Sequence, residues 1–353
     1  MNITARPDLE SFAQGAAPVG CIDIGGTKIA ASVAAQGCMH GRVSEATIKH
    51  GSRDALAMQV VDLLRRSCEQ AGVQPASLAA VGVASCGPFV LHEGLIELAA
   101  PNICGGLARQ IGGAAHSGKA AGFEGQSTTE DERPAGTRAG LPNDWTSVPL
   151  EKPLRLAFAN VRIENDGIAA LEAERRWGAL QGFDHCAYVT WSTGIGCGLC
   201  VDGHVLRGKQ GNAGHAGHLF VSDNFDALCG CGNLGDVEGL VAGNALARRF
   251  SAQGYADAAA ILTAARRGDE VAVAIVDELC RVMGRALYNL VITLDLQRIS
   301  LGGSVFWHHR DYLLPRLQSH ISGRLPALTE GCDLVAAGLG ERVGDFAALA
   351  LLG

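Results

Sequence analysis

A two-lobed α/β protein is what this sequence predicts, on three observations. At 353 residues the chain is longer than one ordinary hydrophobic core supports, which favours two domains. Its composition, 48% hydrophobic and 18% charged, is that of a well-buried globular chain. One local unit also occurs once in each half. VGCIDIGGTKIAASVAAQG from Val19 and AYVTWSTGIGCGLCVDG from Ala187 each read as an apolar strand, a glycine-rich turn and a second apolar strand.

From the N-terminus, MNITARPDLESFAQGAAPVG lacks the basic start and continuous apolar stretch of a signal peptide. No apolar run reaches membrane-spanning length, so a cytoplasmic location is expected. The formal charge of −7, from 29 Lys+Arg against 36 Asp+Glu, leaves no footprint for nucleic acid or an anionic membrane and favours a small-molecule partner. Twelve cysteines scattered through a long chain read as reduced thiols, most of them, such as Cys68 and Cys280, small core residues.

The turn of the first hairpin holds Gly25 and Gly26; that of the second holds Gly194, Gly196 and Gly198. Glycine there allows positive φ and lets backbone N–H groups approach a ligand closely, which suits phosphate oxygens. An ordinary hairpin is the alternative for either copy alone. The second turn is not a dinucleotide fingerprint, which needs G-x-G-x-x-G opening a helix, because Leu-Cys-Val follows Gly198 as a strand. A P-loop pattern is absent as well. A phosphate hairpin in each of two lobes points to the actin-like, ribonuclease H-like ATPase architecture, with its site in the cleft between the lobes.

At residues 228–239, LCGCGNLGDVEG sets Cys229 and Cys231 two apart and places Asp236 and Glu238 just beyond. Two sulfurs cannot close a structural zinc site, which takes four ligands.

These segments together resemble the ROK family of sugar kinases (glucokinase and N-acylhexosamine kinase types), from about Gly20 to the C-terminus with one interruption. D-I-G-G-T-K at Asp23–Lys28, E-N-D at Glu164–Asp166, S-T-G-I-G-C-G at Ser192–Gly198 and L-G-G at Leu301–Gly303 follow the family order. The family block G-E-x-G-H then C-x-C-G-x-x-G-C-x-E stands here as G-H-A-G-H at Gly214–His218 and C-G-C-G-N-L-G-D-V-E at Cys229–Glu238. His215 replaces a glutamate and Asp236 the last cysteine.

The resemblance implies an ATP-dependent kinase for the 6-hydroxyl of a hexose or aminohexose, with Mg²⁺ and a structural Zn²⁺. It implies Asp166 as catalytic base, although an N-cap role suits the same position. Asp23, Gly25, Gly26, Thr27, Lys28, Thr193, Gly194, Gly302 and Gly303 would hold nucleotide and Mg²⁺. Gly87, Asn102, Asn165, Asp166, His215, His218 and Glu238 would meet the sugar. His218, Cys229, Cys231 and Asp236 would hold zinc; a metal-free loop in which Asp236 caps a helix is the alternative.

An N-terminal lobe is expected over 17–162, completed by a helix within 342–353, and a C-terminal lobe with the zinc loop over 163–341. Family members imply a dimer or tetramer. Residues 104–140 interrupt the family pattern between APNI and LPNDW, so Asn143 rivals Asn102 as the substrate-loop asparagine. Sugar-responsive repressors of the same family carry a helix-turn-helix before this first hairpin, and the 22 residues ahead of Asp23 are expected to be too short for one. A cyclitol kinase is a further alternative. A zinc hydrolase would leave the two hairpins without a purpose.

Overall fold

The computed structural model describes residues 17–107 and 141–353; the interruption read at 104–140 lies, from residue 108 onward, outside the described residues. The first half runs β1 (Val19–Ile24), β2 (Lys28–Ala35), β3 (Cys38–Ala46), the helix Ala55–Ala71 and β4 (Ala80–Ser85). Three short strands follow, β5 (Phe89–His92), β6 (Leu95–Leu98) and β7 (Val148–Pro149), and then β8 (Val161–Asn165). The second half supplies β9 (Cys186–Trp191), β10 (Ile195–Val201), β11 (His204–Val205), β12 (Arg298–Gly302) and β13 (Asp333–Ala336).

The two large sheets have the same plan. In the first, ordered β3-β2-β1-β4-β8, the hairpin β1/β2 and the pair β2/β3 are antiparallel while β1, β4 and β8 run parallel. In the second, ordered β11-β10-β9-β12-β13, the senses repeat strand for strand. The repeated hairpin of the sequence is thus the head of a repeated five-stranded unit, and the fold is the two-lobed actin-like ATPase fold.

Each unit has its own core. β1 and β2 are buried along nearly their whole length, as expected for strands covered on both faces. On one face, Ile22, Ile24 and Ile29 meet Leu56, Val60, Leu63 and Leu64, the helical-period stripe of Ala55–Ala71. That helix stops at Gly72, whose φ of 67° is left-handed, with the Val73 N–H donating to the Cys68 carbonyl at 2.9 Å. In the second unit Trp191, Ile299 and Leu301 pack with Val276, Leu279, Val282 and Leu287 of the long helix Glu270–Leu294.

A third cluster joins the lobes. The helix Asp166–Trp177 lies on β9 and β10, the helix Val343–Ala350 lies on β1 and β4, and the two helices pack on each other. Alanines at 169, 170, 173, 347 and 348 allow this closeness, and Phe346 and Leu349 are buried there with Cys21, Ala84 and Tyr188. Each of those two large side chains contributes about 2 kcal/mol by leaving water. Close approach also explains Gly82, where a side chain would overlap the Ala348 carbonyl.

All twelve cysteines are unpaired thiols. Among the described residues no helix is long and apolar enough to cross a membrane.

Candidate active site

β8 leads straight into the helix Asp166–Trp177, and the junction is Asn165-Asp166-Gly167. Gly167 N–H donates to Oδ1 of Asn165 at 3.0 Å and of Asp166 at 2.8 Å. Asn165 is therefore the cap and Asp166 the first helical residue. The helix start is pressed on the second hairpin, because a side chain on Gly167 would lie 2.8 Å from the Cys197 carbonyl and one on Gly198 would overlap the Gly167 carbonyl.

The three glycines of the second turn have separate jobs. Gly198 admits the helix, Gly196 lies beside Asp166 (3.9 Å from a built Cβ to Oδ1), and Gly194 lies against Glu238 (2.8 Å to Oε2). Gly25, Gly26, Gly194, Gly196 and Gly198 all lack positive φ. The conformational freedom expected of these turns is not used; what glycine provides is room. Gly26 shows it directly, since a side chain there would run into the amide of Asn102. The first glycine turn and the loop of Asn102 are thus in contact.

Asp166 is half-buried, and burial, followed by the charge of Asp23 and then of Glu238, raises its pKa to about 7. Asp23 is raised to about 6 by burial, with Arg42 and Lys28 pulling the other way. Its carboxylate lies 3.3 Å from a Cβ built on Gly344, beside the first turn of the helix Val343–Ala350. Thr27, Lys28 and Thr193, at the hairpin tips, are exposed. Two repelling carboxylates facing exposed hairpin tips suit a cation carried in on phosphates.

Among the residues expected to meet the sugar, a Cβ on Gly87 would sit 3.0 Å from Asn165 Nδ2 and 3.1 Å from His215 Nε2, so these three groups converge. His215 Nε2 is buried with no hydrogen-bond partner, and burial, then the neighbouring His218, lowers the His215 pKa. Asn102 is exposed beside Gly26, whereas its rival Asn143 is 7% exposed and fully engaged. Asn143 Oδ1 accepts from Gly105 N–H (2.8 Å) and Trp145 N–H (3.1 Å), and Nδ2 donates to the carbonyls of Lys49 and Ile103 (2.9 Å each). Asn143 is a clip, with no polar capacity left for a substrate.

Glu238 is also partly engaged: Oε2 accepts from Ile195 N–H at 2.9 Å, holding the second hairpin tip, and Oε1 faces the Cys229 thiol at 3.6 Å. Gly302 backs onto the Tyr188 hydroxyl, and Gly303, at φ 88°, would overlap the Trp191 backbone if it had a side chain. Both serve the turn from β12 into the helix Ser304–Trp307.

His218, Cys229, Cys231 and Asp236 come together, their candidate ligand atoms all within 4.8 Å of one another. His218 Nδ1 is 3.0 Å from Asp236 Oδ2 and 3.8 Å from Cys229 Sγ, and Cys231 Sγ is 3.4 Å from Asp236 Oδ2. A tetrahedral zinc with bonds of about 2.0–2.3 Å holds its ligands roughly 3.3–3.8 Å apart, so this donor set fits zinc. Asp236 is fully buried and also caps the helix Val237–Val241, its Oδ1 accepting from Gly239 N–H at 2.7 Å. Capping and ligation, read from the sequence as alternatives, would use different oxygens, so the cap leaves Oδ2 free for a metal. The hydrogen bond to Asp236, then that to Cys231, raises His218 to about 10, and the Cys229 thiol, then His218, holds Cys231 well below the usual thiol range.

A functional residue missed in the sequence is Glu174. It is fully buried on the helix that Asp166 opens. Oε2 accepts from Ala179 N–H (2.9 Å), Gly338 N–H (2.9 Å) and Ser300 Oγ (3.0 Å), and Oε1 accepts from Leu339 N–H (2.8 Å). The only sequence signal is an acid inside the alanine face A-A-L-E-A-E.

Two glycine hairpins facing a half-buried carboxylate, on duplicated sheets joined by paired helices, define a phosphotransferase of the actin-like ATPase class. The chain belongs to the ROK family, whose sequence pattern matches residues 139–352. It is 26% identical to a glucokinase of Aeropyrum pernix over 356 aligned residues, covering 95% of this chain and 96% of that one. It is 31% identical to an N-acetylmannosamine kinase of Shigella boydii over 294 residues, covering 80% and 82%. The crystal structure of a ROK family glucokinase from Streptomyces griseus in complex with glucose and AMPPNP superposes with a TM-score of 0.64 at 26% identity, covering 95% of this chain and 99% of that one.

Proposed function

We propose that this enzyme, an ATP-dependent carbohydrate kinase, moves the γ-phosphoryl group of ATP to the 6-hydroxyl of a hexose or aminohexose. The observation that carries the reading is the position of Asp166, a carboxylate titrating near neutrality between the second glycine hairpin and the convergence of Gly87, Asn165 and His215. A base of that pKa can take the hydroxyl proton as the oxygen attacks phosphorus. Phosphoryl transfer otherwise asks for positioning and for N–H or cationic groups around the phosphates. Gly25, Gly26, Thr27 and Lys28 supply these from one lobe and Thr193 and Gly194 from the other, with Gly302 and Gly303 towards adenosine. Asp23 would orient Mg²⁺ through water, and Mg²⁺ when bound neutralises charge on the β- and γ-phosphates.

The deciding experiment is ADP release with ATP across glucose, mannose, their N-acylated amino forms, kanosamine and a cyclitol, compared as kcat/KM. 6-Deoxyglucose should release no ADP above background. Turnover confined to cyclitols, or equal with and without the 6-hydroxyl, would sink the reading.

His215 is the residue expected to shape acceptor choice. A neutral imidazole offers one donor and one acceptor, whereas a carboxylate in its place could accept from two adjacent hydroxyls. His215→Glu is therefore expected to shift the ranking of glucose, aminosugars and cyclitols by about tenfold or more, the worth of one buried hydrogen bond. An unaltered ranking would remove His215 from specificity.

Zinc held by His218, Cys229, Cys231 and Asp236 would preorganise the loop that bears His215 and Glu238. Protein purified without added metal is expected to carry about one zinc per chain by elemental analysis, and Asp236→Ala to lose it. Well-folded, active enzyme that contains no zinc and ignores strong chelators would refute the site.

A further inference from the structure

We propose that Asn212 is a positioning residue that sets sugar affinity by fastening the C-terminal lobe to the N-terminal lobe beside the sugar; the role rests on the kinase reading above. The segment 206–215 leaves β11 in the second sheet and ends at His215. It reaches the first lobe twice, β8 lying whole in the first sheet and so carrying that lobe past the boundary expected after residue 162. At its start, Arg207 Nε donates to Glu164 Oε1 of β8 at 2.6 Å. Further along, Phe89 N–H donates to Asn212 Oδ1 at 2.7 Å, and Asn212 Nδ2 donates to the Phe89 carbonyl at 2.7 Å.

A primary amide is the side chain suited to this place, because it presents one acceptor and one donor side by side, as a neighbouring strand would to a residue of β5. Both bonds are partly shielded from water, and the Phe89 side chain is 1% exposed, so the anchor on the N-terminal side is rigid. Gly211, at φ 77°, lets the segment lie on the Phe89 ring, with a built Cβ only 3.4 Å from it. Ala213 N–H donates to the Arg207 carbonyl at 3.0 Å, which closes residues 207–213 on themselves around Asn212 and leaves one residue between this closed turn and His215.

Phe89 stands two residues beyond Gly87, and Gly87 faces Asn165 and His215. The Asn212 clip therefore fixes the gap between Gly87 on one lobe and His215 on the other, the width of the sugar side of the cleft. With the clip removed, part of the population holds that gap open, and apparent sugar affinity falls by the fraction still closed. Saturating sugar restores the closed form, so turnover is retained.

The test compares Asn212→Ala and Asn212→Asp with the wild type in sugar KM, ATP KM, kcat, Tm and amide hydrogen exchange at Phe89. Asn212→Ala is expected to raise the sugar KM about tenfold, equivalent to about 1.4 kcal/mol, with ATP KM and kcat within about twofold, Tm nearly unchanged and faster exchange at Phe89. Asn212→Asp keeps the acceptor for Phe89 N–H but sets a carboxylate against the Phe89 carbonyl. It should raise the sugar KM while Phe89 stays protected. An active wild type with the same sugar KM in both variants overturns this role alone, as does a joint rise in both KM values with a fallen Tm, which marks a merely structural residue. A wild type that releases no ADP with any acceptor overturns the kinase reading and this role with it.

Discussion

Asp166→Asn is expected to lower kcat by at least about 10²-fold, the usual worth of a positioned general base, while affinity for a non-hydrolysable ATP analogue stays near that of the wild type. The amide keeps the shape and can still accept from Gly167 N–H, so the helix start survives. Stability should move the other way. The folded-state pKa is raised to about 7 from an ordinary carboxylate value, so between about pH 4 and pH 7 the native state binds the proton more tightly than the unfolded chain. Stability from this group is then fully present below about pH 4 and is lost as pH rises through 7. At pH 8 the asparagine variant should melt higher than the wild type. The acid limb of the wild-type kcat/KM profile should fall near pH 7, as the base form is lost. Near wild-type kcat in the variant would refute the assignment of Asp166 as base.

Glu174→Ala should give the largest loss of stability, about 2–5 kcal/mol, the cost of leaving buried donors unsatisfied. Its carboxylate collects Ala179, Gly338 and Leu339 N–H groups and the Ser300 hydroxyl, and it lies at zero exposure. Truncation leaves two buried donors, the Ser300 hydroxyl and the Leu339 N–H, without an acceptor, and takes the acceptor from the part-buried Ala179 and Gly338 N–H groups. The expected readout is a fall in Tm on the order of 10 °C. Glu174→Gln should rescue part of the loss, because its oxygen can take the place of Oε2, which accepts three of the four bonds, while its NH₂ faces the Leu339 N–H. A loss under about 1 kcal/mol for the alanine variant would show that these bonds are readily replaced.

The hairpins were legible in the sequence because their signal is local: apolar runs broken by glycine, twice, with matching flanks. Asp166 was legible for the same reason, standing between a strand pattern and a helical one. The four side chains proposed to hold zinc, on either side of a short loop, could be gathered only through the resemblance to the family. Glu174 was not legible, since three of its donors, Ser300, Gly338 and Leu339, are more than a hundred residues away and nothing in A-A-L-E-A-E says which acid turns inward. The choice of Asn102 over Asn143 rested on the family resemblance alone. Two asparagines near one pocket look alike until the backbone groups around each are known, and Asn143 proves to spend all its capacity on them. The reason for the turn glycines was misjudged because φ and close approach leave the same residue in the sequence.

The Asn143 clip has an engineering consequence. It ties Ile103 and Gly105 on one side to Trp145 and Lys49 on the other, so the two ends of the intervening stretch are held together by the lobe itself. Lengthening a stretch whose ends are already fixed costs only about 0.6 kcal/mol for each doubling. Chain added between ends held in this way costs the lobe little. The same junction is a natural port for grafting a reporter domain, with Asn143 as the one side chain such a design has to keep.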